Sequence, residues 1–139
     1  MDIVFLIARL LFAVIFLLSA VGHLTQADAM AQYSAYKGAP GGKAGVILSG
    51  LTMGVGALMV LFGIFGDIGS LLIAATLIPV SFFMHAHWKE SDAQAKQTEQ
   101  ISFNKNLGLI GGALALFLLF AVQGADMGLS VTGSLIQLG

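Results

Sequence analysis

Residues 46–84 read VILSGLTMGVGALMVLFGIFGDIGSLLIAATLIPVSFFM, two apolar runs interrupted only around Phe65-Gly66-Asp67. At ~1.5 Å per residue each run reaches close to the roughly 30 Å of a bilayer's hydrocarbon layer. A join of two or three residues folds the second helix back along the first, so the pair is an antiparallel hairpin. Two further runs flank it. The pattern predicts helices at about residues 3–24, 46–65, 68–86 and 104–122, an all-α antiparallel four-helix membrane bundle occupying residues 1–139 as a single domain. Residues 127–139 form a mildly apolar tail too short to span.

Composition agrees with that hairpin. Of 139 residues 58% are apolar and 9% charged, against about 25% charged in a soluble protein. A soluble core of this size could not hide so much apolar surface. The first run is longer than the apolar region of a cleaved leader, has no basic stretch before it and no A-x-A-like site after it, and so reads as a retained helix. With no cysteine, disulfide, thiolate-ligand and nucleophilic-thiol chemistry are excluded for this chain. A formal charge of −1 offers no electrostatic footprint for nucleic acid. Phosphate-loop, dinucleotide and zinc-protease motifs are absent from the sequence.

The charges fall on one side. Threading four helices places connections 25–44 and 85–106 together, and these hold Lys37, Lys43, Lys89, Lys96 and Lys105, with His85 and His87; His23 sits at the edge. Arg9 alone lies toward the other side. The positive-inside rule then puts both connections in the cytoplasm and both termini outside a bacterial inner membrane. The first connection begins as a short interfacial helix, with Tyr33 and Tyr36 on one face, and Gly38-Ala-Pro-Gly-Gly ends it. Residues 89–100 read as an exposed loop or short helix. Gly50, Gly54, Gly56, Gly63, Gly108, Gly111 and Gly112 read as intramolecular packing positions, and Pro79 is expected to kink its helix.

Arg9 is the costliest polar group, a permanent charge about 9 Å below the start of its helix. One reading is a structural clamp to Asp2, Asp67 or Asp126; the other is a cation facing a substrate anion or a quinone oxygen. His23, His85, His87, Trp88, Asn104, Lys105 and Asn106 gather near the lysine-rich end and form a candidate quinone or polar-ligand cluster. The plainer reading is interfacial decoration and helix C-terminal histidines. No metal site is expected, because His85 and His87 on one continued helix stand about 200° apart.

Several segments resemble one family. Arg9-Leu-Leu-Phe-Ala followed by Leu18-Ser19-Ala20-Val21-Gly22-His23-Leu24 is similar to R-L…S-G-x-x-K-L. Tyr36-Lys37-Gly38-Ala39-Pro40 is similar to G-x-P, and Gly56 through Gly63 to G-x-L-x-L-x-x-G. Pro79 and His85-Ala-His87-Trp88 follow, and Phe103-Asn-Lys105-Asn106-Leu107-Gly-Leu-Ile-Gly111-Gly112 resembles F-x-K-N-L-x-L-x-G-G. In this order, over about residues 5–120, they resemble the DoxX family of small bacterial membrane proteins. Ala20 and His23 stand where the family often has Gly and Lys. Thr52 stands near an intramembrane Glu of many members, which implies loss of any proton or quinone chemistry that Glu carries. The resemblance implies four transmembrane helices and a place beside redox systems. The expected role is an accessory or anchoring subunit of a redox-linked membrane complex that contacts quinone. The alternative is the membrane subunit of a thiosulfate- or other donor:quinone oxidoreductase. Its expected partners are the lipid bilayer and other membrane or redox subunits.

Overall fold

A computed structural model describes residues 2–124 and 128–138. The chain is helical: α1 Asp2–Thr25, α2 Ala27–Tyr36, α3 Gly42–Phe62, α4 Gly66–Met84 and α5 Ala93–Gln123, with a 3-10 turn at His87–Lys89. α1, α3, α4 and α5 are long and apolar enough to cross a membrane. The protein is a helical membrane bundle. α3 packs between α1 and α4, and α4 packs on α5. All four contribute to one core, with Phe16, Met53, Val60, Ile73, Leu77, Leu116 and Phe120 at its centre.

Helix ends differ from the apolar pattern for local reasons. α3 stops at Phe62 because Gly63 takes a left-handed φ of 62°, and the Ile64 N–H turns back to the Met59 carbonyl. Apolarity continues through Ile64-Phe65, so the pattern overruns the cap. α4 ends at Met84, before His85. α5 begins eleven residues earlier than residue 104, its first turn capped by the Asp92 carboxylate on the Ala95 N–H at 2.8 Å. Thus most of the polar stretch 89–100 is helix, and α5 at 31 residues outruns the ~20 needed to span. Pro79 lies inside an uninterrupted α4.

Close helix approach depends on two glycine contacts. A Cβ at Gly56 would stand 2.8 Å from the Gly69 carbonyl oxygen, and one at Gly50 would stand 2.6 Å from the His23 Cβ. The first fixes the α3–α4 crossing and the second brings α1 and α3 together at His23. At Gly108 and Gly111, by contrast, an added Cβ would meet nothing within 4 Å. Both are exposed, so the expectation that they pack inside the bundle is corrected.

The tail is part of the fold. Residues 128–138 run across the end of the bundle opposite the lysines, with Val131 N–H on the Phe62 carbonyl, Thr132 N–H on the Gly63 carbonyl and Leu138 N–H on the Ala121 carbonyl. Arg9 is fully buried. Its Nη1 donates to Ser130 Oγ at 3.1 Å, and Nη2 to the Leu129 and Gly128 carbonyls at 3.1 and 3.4 Å. Asp67, also fully buried, accepts the Leu135 and Ile136 N–H groups on Oδ2 at 3.0 and 2.7 Å. Among the described residues Arg9 makes no ion pair, with Asp2 and Asp67 included. Both charges instead hold the tail's backbone. Asp126 lies outside the described residues.

Candidate functional site

The lysine-rich end is organised around a carboxylate. On α5, Glu99, Asn106, Ala113 and Phe120 are all buried; the seven-residue spacing carries one inward stripe from the core out to Glu99. Only 8% of Glu99 is exposed. Its Oε1 accepts from Lys37 Nζ at 2.7 Å and from the Tyr33 hydroxyl at 3.1 Å, and Oε2 meets His85 Nδ1 at 2.7 Å. Lys37 also reaches Glu90 Oε1 at 2.6 Å. Four segments are tied here: α2 with the residue after it, the end of α4, the 3-10 turn, and α5.

The charges compensate one another. Burial works against the Lys37 ammonium, but hydrogen bonds to Glu90 and Glu99 outweigh it and hold its pKa above the ordinary lysine value. Burial, with the Glu99 charge beside it, pushes the Tyr33 hydroxyl up as well. Each of the donors on Glu99 matches an ionised carboxylate, which can only accept.

Two cavities adjoin this network. The larger, about 530 Å³, lies between α2, α3 and α4, with His23 of α1 in its wall. That volume is in the ~300–1,000 Å³ range of small-molecule sites. Its polar points include Tyr33, Ser49, and Thr52 and Thr76, whose hydroxyls are 3.0 Å apart. The remainder is largely aliphatic and aromatic. Leu48 and Phe83 line it while being 63% and 39% exposed, so it opens sideways onto the surface that lipid covers. The smaller, about 160 Å³, is bounded by Ser19, His23, Met53, His85, Lys105 and Asn106. His23 lines both.

The His23 tautomer follows from geometry. Nδ1 lies 2.8 Å from the Ser19 carbonyl oxygen, which can only accept, so Nδ1 carries the hydrogen. In the neutral ring Nε2 is then the acceptor.

The residues that the sequence points to divide into two groups. His23, His85, Lys105 and Asn106 surround the smaller cavity. His87 and Trp88 pack edge-to-face with Phe103 at 5.7 and 5.6 Å between ring centroids, and Phe82 joins Trp88 and Phe103. The turn after Met84 is what parts His85 from His87. Asn104 is exposed. Among the described residues no group of three or more His, Asp or Glu side chains could hold a metal ion. Glu99, Lys37, Glu90 and Tyr33 are absent from the cluster that sequence reasoning assembles.

A family model described as DoxX matches residues 4–86, which span α1 to α4. The chain is 29% identical over 123 residues to the inner membrane protein YqjF of Escherichia coli (strain K12), covering 88% of this chain and 85% of that protein. A stretch of that length necessarily includes the apolar part of α5, beyond the end of the family match. No solved structure matches the chain.

Proposed function

The chain belongs to the DoxX family, and from that premise we propose that it is an accessory or anchoring subunit of a redox-linked complex in the bacterial inner membrane, its larger cavity receiving a quinone headgroup. The observation that carries this reading is the 530 Å³ cavity, apolar, open to the lipid side and bearing a few hydroxyls with one imidazole. A quinone enters from the bilayer, needs an apolar slot for its tail and presents two ring oxygens. The Thr52 and Thr76 hydroxyls now donate to carbonyls of their own helices, and one of them turning away from its carbonyl would donate to an oxygen of the quinone. With Nδ1–H held by the Ser19 carbonyl, Nε2 of the neutral His23 ring would be an acceptor that suits the hydroxyl of the quinol form. With no cysteine in the chain, a thiol or iron–sulfur centre that passes electrons to or from the quinone would sit on a partner subunit.

The test is purification in a gentle detergent with mass spectrometry of co-purifying proteins and extracted lipids. A stoichiometric redox subunit and bound quinone are expected, with the quinone lost on Thr52→Phe, which removes the Thr52 hydroxyl and puts a ring in the slot beside Thr76. A well-folded preparation with neither quinone nor partner overturns the reading. Quinone reduction by the isolated chain would move the role from accessory to enzyme.

The orientation belongs to the same proposal. Five lysines stand at the Glu99 end, which we place in the cytoplasm. A topology reporter fused after Gly139 is expected to report the external side. A cytoplasmic signal inverts the bundle.

A further inference from the structure

Two imidazoles face the same small cavity at the lysine-rich end, each fixed through Nδ1. His85 Nδ1 lies 2.7 Å from Glu99 Oε2, and a carboxylate oxygen accepts, so that nitrogen carries a hydrogen. His23 Nδ1–H is held by the Ser19 carbonyl at 2.8 Å. In both rings Nε2 is therefore the atom free to gain and lose a proton. The rings belong to α1 and to the cap of α4, and the 160 Å³ cavity lies between them. Lys105, Asn106 and Ser19 give it a polar wall, and it has room for a few waters at ~30 Å³ each.

We propose that His85, positioned by Glu99, and His23 form a proton route between the lysine-rich surface and the larger cavity. The His85 side chain is 25% exposed, so its ring exchanges protons with solvent. A proton taken at His85 Nε2 passes to a water in the smaller cavity. That water gives one of its own protons to His23 Nε2. His23, which lines both cavities, then gives that proton to an oxygen on the other side. Each histidine ends neutral and no electron moves along the route.

Charged and titratable neighbours frame the route. Glu99 faces His85 from α5, backed by Lys37 and Tyr33, with Glu90 on Lys37. Lys105 lines the cavity from the same helix, and His23 faces it from α1. The remaining wall groups, Ile15, Phe16, Met53, Leu77, Val80 and Leu109, offer a proton no resting place. Only the identity of what the proton finally meets rests on the quinone reading. When a partner's redox group delivers two electrons to a quinone, two protons arriving this way complete the quinol; oxidation of the quinol sends two back.

The route is testable without any quinone. The full chain, purified in detergent with isotope-labelled histidine and His87→Gln to simplify the signals, is subjected to a pH jump and followed by time-resolved infrared spectroscopy. His23 protonation is expected to slow at least tenfold in His85→Asn, whose amide keeps a hydrogen bond to Glu99. It is also expected to slow in Asn106→Leu, which makes one cavity wall apolar without touching either histidine. Rates equal to the parent in both variants overturn the route. If His85→Asn fails to fold, as read by circular dichroism, Asn106→Leu decides alone. Slowed exchange in a protein that never retains quinone leaves the route standing and sinks only the occupant. Retained quinone with unchanged exchange does the reverse.

Discussion

Removal of residues 128–139 is expected to cut the yield of folded protein about tenfold, with thermal midpoints in detergent lowered by more than ~10 °C. The tail supplies the hydrogen-bond partners of two buried charges. Arg9 loses Ser130 Oγ and two carbonyls; Asp67 loses two backbone amides. A hydrogen bond to a charged group contributes about 1.5–3 kcal/mol, and stripping the partner from a buried charge costs about 3–5 kcal/mol. Two orphaned charges are comparable with the whole stability of a small domain, about 5–15 kcal/mol. Water reaching this end once the tail is gone recovers part of that cost. A second variant separates charge from packing. Arg9→Leu with Asp67→Leu in the shortened chain removes both orphans and should recover much of the lost midpoint. A shortened chain that melts with the full-length protein would show that the tail lies on the bundle without holding it.

Four spans and their antiparallel order are legible in the sequence because apolar length is a direct consequence of bilayer thickness. Helix ends are not, since they depend on single residues. Gly63 stops α3 inside an apolar run, and Asp92 starts α5 inside a polar one. The role of the tail is half legible. Arg9 and Asp67 announce two charges that need partners, and other side chains are the natural choice. The partners are backbone groups of Gly128, Leu129, Leu135 and Ile136, together with the Ser130 hydroxyl, and no residue type advertises a free carbonyl or amide.

The site is legible in its imidazoles and hidden in its carboxylate. His23, His85, Lys105 and Asn106 stand out by their position near the ends of apolar runs, and they do bound one cavity. Glu99 escapes notice because residues 89–100 look like a solvated loop when read by charge alone. The seven-residue step Glu99, Asn106, Ala113, Phe120 is present in the sequence and places Glu99 on the inward face. Lys37 on the other connection supplies the matching charge. Periodicity carried across the polar-to-apolar boundary, instead of stopping at it, finds the pair. Trp88 and His87 join the cluster only if α4 continues; its end at Met84 turns them toward Phe82 and Phe103.

Replacing Glu99 by Ala is the other large perturbation. Lys37 keeps only Glu90, while the Tyr33 hydroxyl and His85 Nδ1 lose the acceptor they share. The side chains of Lys37 and Glu99 are 10% and 11% exposed, so screening is modest but water is near, and the lower part of the about 3–5 kcal/mol range applies. In a chain of this size that corresponds to a fall of about 10 °C in midpoint. Glu99→Gln should lie between, since its amide oxygen still accepts one donor. Lys37→Met with Glu99→Leu tests whether pairing or polarity matters. Apolar replacement of both partners of a buried ion pair is often neutral, so the double variant should be more stable than Glu99→Ala. The pH dependence has a definite sign. The Lys37 pKa is raised by folding, so its contribution is complete below the ordinary lysine value of about 10.4 and fades only as pH rises through the higher folded value. Between about pH 6 and about pH 9 the stability gap between the parent and Lys37→Met should therefore show no slope from Lys37 itself. A parent that gains stability over Lys37→Met steadily on alkaline titration across that window would mean that Lys37 binds its proton less tightly folded than unfolded, against what its two carboxylates imply, and that Glu99 is not the centre of this end of the bundle.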